Sequence, residues 1–219
     1  MTLEEAIAKI KPLDHNAMEI AQKRWDSIAK PLHSLGKLET LLIQIAGITG
    51  NAEVDLSRRG LIAMCADNGV VEEGVTQTGQ EVTAIVAENF LKYDTSVGVM
   101  CKQNHAEIFP VDMGMVTDTK VRTDHKIAYG TQNMTKGPAM TREQAVKGLE
   151  AGIDMVRELN DKGYRILATG EMGIGNTTTS SAVASVLLKQ PVEEMTGRGA
   201  GLTSEGLVRK INAIKKALH

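Results

Sequence analysis

Three short apolar runs, each ending at or beside a carboxylate, limit the folds open to this sequence. GLIAMCAD (60–67), HAEIFPVDMG (105–114) and YRILATGE (164–171) are typical of buried strands, and segments with helical spacing separate them. Strands that alternate with helices form parallel βαβ units. We therefore predict an α/β fold with a Rossmann-like parallel sheet flanked by helices, and only three or four strands are readable.

The residues before the first strand predict helices alone. Asp14 is a candidate N-cap for a helix that ends before Pro31, and SLGKLETLLIQIAG continues with apolar residues at helical spacing. A chain of 219 residues with 42% hydrophobic composition can bury a sizeable core. We therefore predict an N-terminal helical segment, 1–50, as part of a small domain, and a Rossmann-like α/β nucleotide-binding domain, 51–219.

Two helices of the α/β domain have clear signals. EVTAIVAENFL places Val82, Ile85, Val86 and Phe90 on one face. A later helix lies in TREQAVKGLEAGIDMVRELNDKG (141–163), where Thr141 can form a capping box with Gln144 and Gly163 can end the helix.

Charge and composition exclude several classes of function. The 25 basic and 27 acidic residues give a net charge of −2 and aromatic residues make up 3%, so we expect no nucleic-acid partner. The N-terminus lacks a signal-peptide pattern and no apolar run is long enough to span a bilayer, which predicts a cytoplasmic protein without membrane contact. Cys65 and Cys101 lie in apolar runs and are expected to be buried thiols. The histidines lack metal-ligand spacing, so we expect no metal and no cofactor.

The segment GEMGIGNTTTSSA (170–182) resembles a phosphate-binding loop with one altered position. The spacing matches G-x-x-x-x-G-K-[ST], but Asn176 replaces the lysine that contacts β- and γ-phosphates. Gly173 and Gly175 let the backbone approach a ligand, and the helix that begins at Asn176 or Thr177 favours an anion through its free N–H groups. Lys210 could supply a cation from the last helix. The loop therefore predicts a monophosphate site, unless its glycines serve packing alone.

Acidic residues at the carboxyl ends of the strands mark the same region. Asp67, Asp112 and Glu171 follow or end the three strand candidates, and ligands of open α/β sheets bind beyond these strand ends. Each acid could instead cap its own turn. Three methionines are expected to line a flat apolar pocket nearby: Met113, Met140 and Met172.

An ordered set of motifs along nearly the whole chain is similar to one known family. KPLHSLGKLE, CADNGVVEEGV, EVTAIVAENFL, VDMGM, GPAMT, GEMGIGNTT and GRGAGL resemble motifs of the nicotinate-nucleotide–dimethylbenzimidazole phosphoribosyltransferase (CobT) family. The resemblance implies a transferase that moves phosphoribose from nicotinate mononucleotide to 5,6-dimethylbenzimidazole or a similar aromatic base. The product is the α-ribazole phosphate of the cobalamin lower ligand, and the family habit is a homodimer.

The resemblance also assigns roles to residues of this chain. Glu171 would face the ribose and stabilise the anomeric centre, Thr78 would flank the benzimidazole pocket, and Asp67 and Asp112 would shape the rim. The other expected substrate-binding residues are Met172 and the residues that would hold the 5′-phosphate: Gly173, Gly175, Asn176, Thr177 and Lys210.

This sequence departs from the family pattern in three places. It contains no L-G-E-G-x-G-A motif, which carries the family's general base, and Asn68 and His33 stand where the family usually has His and Gly. Three explanations stay open: a shortened form of the enzyme whose sheet is incomplete relative to the family, a split enzyme completed by a partner chain, or a protein that binds nicotinate mononucleotide without turnover. An adenylate- or flavin-binding α/β protein is a further alternative. An incomplete sheet would expose an apolar edge, which predicts aggregation, pairing at that edge or an altered arrangement.

Overall fold

Three parallel strands form the sheet. In a computed structural model that describes residues 1–219, β1 (Arg59–Ala66) lies between β2 (Ala106–Gly114) and β3 (Ile166–Met172). Both pairings are parallel, so the order β2-β1-β3 places the three carboxyl ends on one edge. The predicted strands and the α/β architecture are confirmed.

The chain divides into two compact units, Met1–Ser57 and Arg58–His219. The first contains three helices: α1 (Leu3–Ala8), α2 (His15–Ser27) and α3 (Lys37–Thr49). Asp14 caps α2 as expected, since its Oδ1 accepts a hydrogen bond of 2.9 Å from the Ala17 N–H. The sequence pattern placed the boundary after residue 50, at the end of α3, whereas the division follows Ser57. Residues 51–57 have no regular secondary structure and belong with the helices before them.

The second unit adds six α-helices to the sheet, and a short 3₁₀-helix, Gly69–Glu73, follows β1. The α-helices are α4 (Glu81–Leu91), α5 (Ser96–Gln103), α6 (Arg142–Asp161), α7 (Asn176–Leu188), α8 (Val192–Met195) and α9 (Ser204–Leu218). The capping box of α6 is confirmed: Thr141 Oγ1 accepts from the Gln144 N–H, and Gln144 Oε1 accepts from the Thr141 N–H.

Alternate residues of β1 point into two separate cores. Ala63 and Cys65 pack with Ala87 and Phe90 of α4 on one face of the sheet. On the other face, Ile62 belongs to a cluster with residues from β2 and α6. The sheet is therefore covered on both faces at β1 and β2, as their continuous apolar runs require, whereas no residue of β3 is fully buried. Cys65 and Cys101 are free and buried, and burial raises the pKa of the Cys65 thiol to about 12.

Helix α4 uses a different face from the predicted one. Phe90 is buried as expected, but Ile85 is 57% exposed, and the buried positions are Thr83, Ala84 and Ala87. Small side chains let the helix approach the sheet closely. The prediction that Ile85 faces the core was therefore wrong.

Candidate active site

Backbone packing fixes the loop between β3 and α7 at the carboxyl end of the sheet. Gly173 is buried, and a Cβ atom on it would clash with the carbonyl oxygen of Ala66 at the end of β1. Gly175 has a φ of +91°, a left-handed conformation that favours glycine. The packing and backbone conformation of the protein itself thus favour glycine at both positions, in addition to the predicted approach of a ligand.

Asn68 ties this loop to the segment after β1. Its Nδ2 donates a hydrogen bond of 3.1 Å to the carbonyl of Ile174, and its Oδ1 accepts one of 3.3 Å from the Thr179 hydroxyl. From the other side, the Ile174 N–H donates to Thr83 Oγ1 at 3.0 Å. The departure of Asn68 from the family's usual His therefore falls on a residue whose side chain bonds the loop.

A pocket of about 240 Å³ lies between the loop and the GRGAG turn (197–201). Seven of the predicted site residues line it: Thr78, Met172, Gly173, Gly175, Asn176, Thr177 and Lys210. The sequence interpretation missed Arg198, which also lines the pocket and whose guanidinium donates to the Leu202 carbonyl at 2.8 Å. It also missed Gln77, which lines the pocket and donates to the Gly201 carbonyl. The signal for Arg198 was its position inside a second glycine turn.

Lys210 brings a buried positive charge to this pocket. The residue is 1% exposed, and its Nζ donates hydrogen bonds to Thr177 Oγ1 at 2.8 Å and to the Gly197 carbonyl at 3.1 Å. Both acceptors are neutral, and no carboxylate pairs with the ammonium group. Burial lowers the pKa of Lys210 for this reason. An anion in the pocket would supply the missing counter-charge.

Glu171 is connected to Lys210 through two residues of the loop. Asn176 Nδ2 donates to Glu171 Oε2, and Asn176 Oδ1 accepts a hydrogen bond of 2.7 Å from the Thr177 N–H. Because Thr177 Oγ1 accepts from Lys210, a continuous chain of hydrogen bonds joins an exposed carboxylate to a buried ammonium group.

The other two rim acids are fully buried and hold the segment after β2. Asp67 Oδ2 accepts from the Val116 N–H at 2.9 Å, and burial raises the pKa of this carboxyl group. Asp112 Oδ1 accepts from the Met115 N–H at 2.7 Å, and its carboxylate lies 3.1 Å from Lys126 Nζ. Neither acid lines the loop pocket, and Glu171 does not line it either, but Glu171 accepts a hydrogen bond from Asn176, which does. The hydrogen bond to Val116 gives Asp67 a structural role, and the substrate contact expected from the sequence stays a prediction.

The predicted methionine pocket is divided. Met113 and Met140 line a second cavity of about 230 Å³ on the β2 side, together with Asp67, whereas Met172 lines the loop pocket. The prediction that the three share one pocket was wrong, because β2 and β3 lie on opposite sides of β1.

Two further observations concern metal ions and membranes. No group of three or more His, Cys, Asp or Glu side chains is arranged to hold a metal ion. No helix is long and apolar enough to cross a membrane.

Comparison with known proteins identifies relatives along the whole chain. A family model described as phosphoribosyltransferase matches residues 10–219. The nicotinate-nucleotide–dimethylbenzimidazole phosphoribosyltransferase of Ruminiclostridium cellulolyticum is 51% identical over 100% of this chain and 62% of its own length. The protein of the same name from Clostridium tetani is 46% identical over 99% of this chain and 60% of its own.

A solved structure agrees with these relatives. The crystal structure of CobT from Thermus thermophilus has a TM-score of 0.85 and 36% identity, and the match covers 93% of this chain and 62% of that one. The chain thus spans about three fifths of the length of the relatives it matches.

Proposed function

The chain belongs to the phosphoribosyltransferase family, and we propose that the protein transfers the 5-phosphoribosyl group of nicotinate mononucleotide to 5,6-dimethylbenzimidazole or a similar aromatic base. The product would be α-ribazole phosphate, the lower-ligand precursor of cobalamin. The observation that carries this proposal is the buried, unpaired ammonium group of Lys210 beside the loop pocket.

The 5′-phosphate would occupy the end of the pocket where the loop meets Lys210. Lys210 would supply the positive charge, and Gly173, Gly175, Asn176 and Thr177 would surround the phosphate at the start of α7, where the helix dipole favours an anion. Thr78 and Met172 would lie along the rest of the pocket, beside the acceptor base. A triphosphate is disfavoured because the lysine of the phosphate-loop pattern is replaced by Asn176.

Glu171 would act at the anomeric carbon. In the transfer, the bond from C1′ to the nicotinate ring nitrogen breaks, and its electron pair leaves with that nitrogen, which becomes neutral. A ring nitrogen of the acceptor bonds to C1′, and the acceptor's N–H proton leaves to a base. A carboxylate close to C1′ stabilises the positive charge that develops on the ribose. Binding the two rings on opposite faces of the ribose would supply much of the remaining acceleration.

Binding of nicotinate mononucleotide without turnover is the alternative function. No acidic residue lines the pocket, so apart from the neighbouring Glu171 the site offers no carboxylate to take the acceptor's proton. A partner chain could supply such a base. We also propose that the protein is cytoplasmic and works as a homodimer or with such a partner.

A thermal-shift titration with nicotinate mononucleotide tests the binding step. We expect this ligand to stabilise both the parent chain and Glu171→Gln, because the phosphate contacts remain, whereas ADP should stabilise neither. Absence of stabilisation in the parent at millimolar ligand would contradict the proposed site.

An assay of nicotinate release in the presence of dimethylbenzimidazole tests the transfer. Release by the parent that is lost in Glu171→Gln would support the proposed reaction. Stabilisation without release would favour the binding function.

A further inference from the structure

The carboxylate of Glu171 has little else to hold it in place. The residue lies at the exposed end of β3, and the bond from Asn176 Nδ2 is the one hydrogen bond that its side chain makes. A glutamate side chain that is free in solvent samples several rotamers, and ordering it costs conformational entropy. A carboxylate that must face the anomeric carbon therefore needs a partner that fixes it beforehand.

Asn176 is itself held from a second direction. Its Oδ1 accepts from the Thr177 N–H at the start of α7, and this contact leaves Nδ2 turned towards Glu171. Asn176 also lines the loop pocket, so its amide lies beside both the carboxylate and the phosphate end of the pocket.

We propose that Asn176 is a positioning residue: its side-chain amide holds the Glu171 carboxylate in a fixed position relative to the bound phosphate. An amide NH₂ group has two hydrogens, so one can stay on Glu171 while the other faces the phosphate. A neutral donor orders the carboxylate without neutralising it. The negative charge thus stays available for the ribose. A lysine at this position would instead compensate that charge.

This inference rests on the phosphate site of the proposed function, but it does not require the transfer reaction to proceed. Two probes separate the contacts involved. Orthophosphate reports the phosphate end of the pocket alone, whereas ribose 5-phosphate reports that end together with the hydrogen bonds between Glu171 and the ribose. The ratio of the two dissociation constants therefore measures how well Glu171 is placed.

Calorimetric titration of both probes into the parent and its variants tests the proposal. We expect the parent to bind ribose 5-phosphate about tenfold more tightly than orthophosphate, as one hydrogen bond to a charged group allows. Glu171→Gln should reduce this ratio to about twofold or less, and Asn176→Ala should reduce it equally. The double variant should show no further loss, because both changes remove the same interaction.

Two further variants serve as controls. Asn176→Asp keeps an oxygen for the Thr177 N–H and removes the donor to Glu171. A folded Asn176→Asp chain should therefore also show the reduced ratio of the two dissociation constants. Glu107→Gln makes the same charge change on β2 at the opposite end of the strands, where Glu107 pairs with Gly60, and should leave the ratio at the parental value.

The possible outcomes separate the two proposals. If Asn176→Ala weakens both probes by one common factor, Asn176 is only a phosphate ligand and the positioning role is refuted. If the parent binds neither probe, the phosphate site of the proposed function is refuted and the positioning role with it.

Discussion

Among single residues, Lys210 has the largest influence on what the pocket can bind. Its ammonium group is buried against two neutral acceptors and has no acidic partner. A phosphate in the pocket would therefore accept a charge-assisted hydrogen bond from Lys210, whose ammonium group has no carboxylate partner in the protein.

We expect Lys210→Met to weaken the binding of orthophosphate by at least about tenfold, since a hydrogen bond to a charged group is lost. Isothermal titration calorimetry measures this change. Lys215→Met is the matched control, because Lys215 lies on the same helix, is half-exposed and pairs with Glu193. Equal binding by both variants would show that the anion lies elsewhere.

The same substitution should change how stability depends on pH. Burial lowers the pKa of Lys210 below its ordinary value of 10.5, so between the lowered pKa and 10.5 the unfolded chain binds more protons than the folded one. The free energy of unfolding of the parent should therefore rise relative to Lys210→Met as the pH increases through this window. Urea unfolding at several pH values below and within the window checks this, and a constant difference would contradict it.

Single residues also show where sequence reasoning succeeds and where it stops. The motif order pointed to Lys210 and the glycine loop as one site, and the structure brings Lys210 to Thr177 across 33 positions of the chain. Asp67 is expected at the ligand, and the sequence does not show that its Oδ2 also accepts from the Val116 N–H in the segment after β2. Arg198 escaped notice because its role depends on the shape of a turn.

Helices and strands were more predictable where their signals are local. The caps at Asp14 and Thr141 depend on residues within three positions, and both were predicted correctly. The buried face of α4 was predicted only in part: Val86 and Phe90 pack against the core, but the small residues Thr83 and Ala84 are buried where Ile85 was expected. Local chemistry thus predicts that an element exists better than it predicts which face is buried.

Two glycines provide a test of how the loop is packed. Gly173→Ala should destabilise the protein by about 1–3 kcal/mol, because its Cβ would overlap the Ala66 carbonyl. Gly152→Ala, within α6, should stabilise it by about 0.5–1 kcal/mol, since a Cβ there meets open space and alanine favours the helix. Urea unfolding measures both changes. A Gly173→Ala chain as stable as the parent would mean that the loop is free to move away from β1.

In the molecule as a whole, the sheet and one helix leave surfaces that favour association. β3 is an edge strand of a three-stranded sheet, so one side of its backbone has no neighbouring strand. Helix α7 exposes four large apolar side chains: Val183, Val186, Leu187 and Leu188. Large apolar patches of this kind mark interaction surfaces or lead to aggregation.

We expect the chain to associate as its concentration increases, and Leu187→Lys to reduce this association, because Leu187 is 75% exposed on α7. Sedimentation velocity over a range of concentrations measures the effect. Ile85→Lys changes an exposed apolar residue of α4 in the same way and serves as the control. A monomeric parent, or an equal effect of both variants, would contradict the role of α7.

The bond from Asn68 to Ile174 joins residues 106 positions apart. The loop pocket is thus absent from any partly folded molecule in which β3 has not yet paired with β1, since the loop packs against the end of β1. Long-range pairings of this kind form late, after the cost of closing a long loop has been met. A phosphate bound as we propose would bind only molecules that have completed this last step, and it would therefore shift the folding equilibrium towards them. A small metabolite would in this way act as a selective stabiliser of the finished chain.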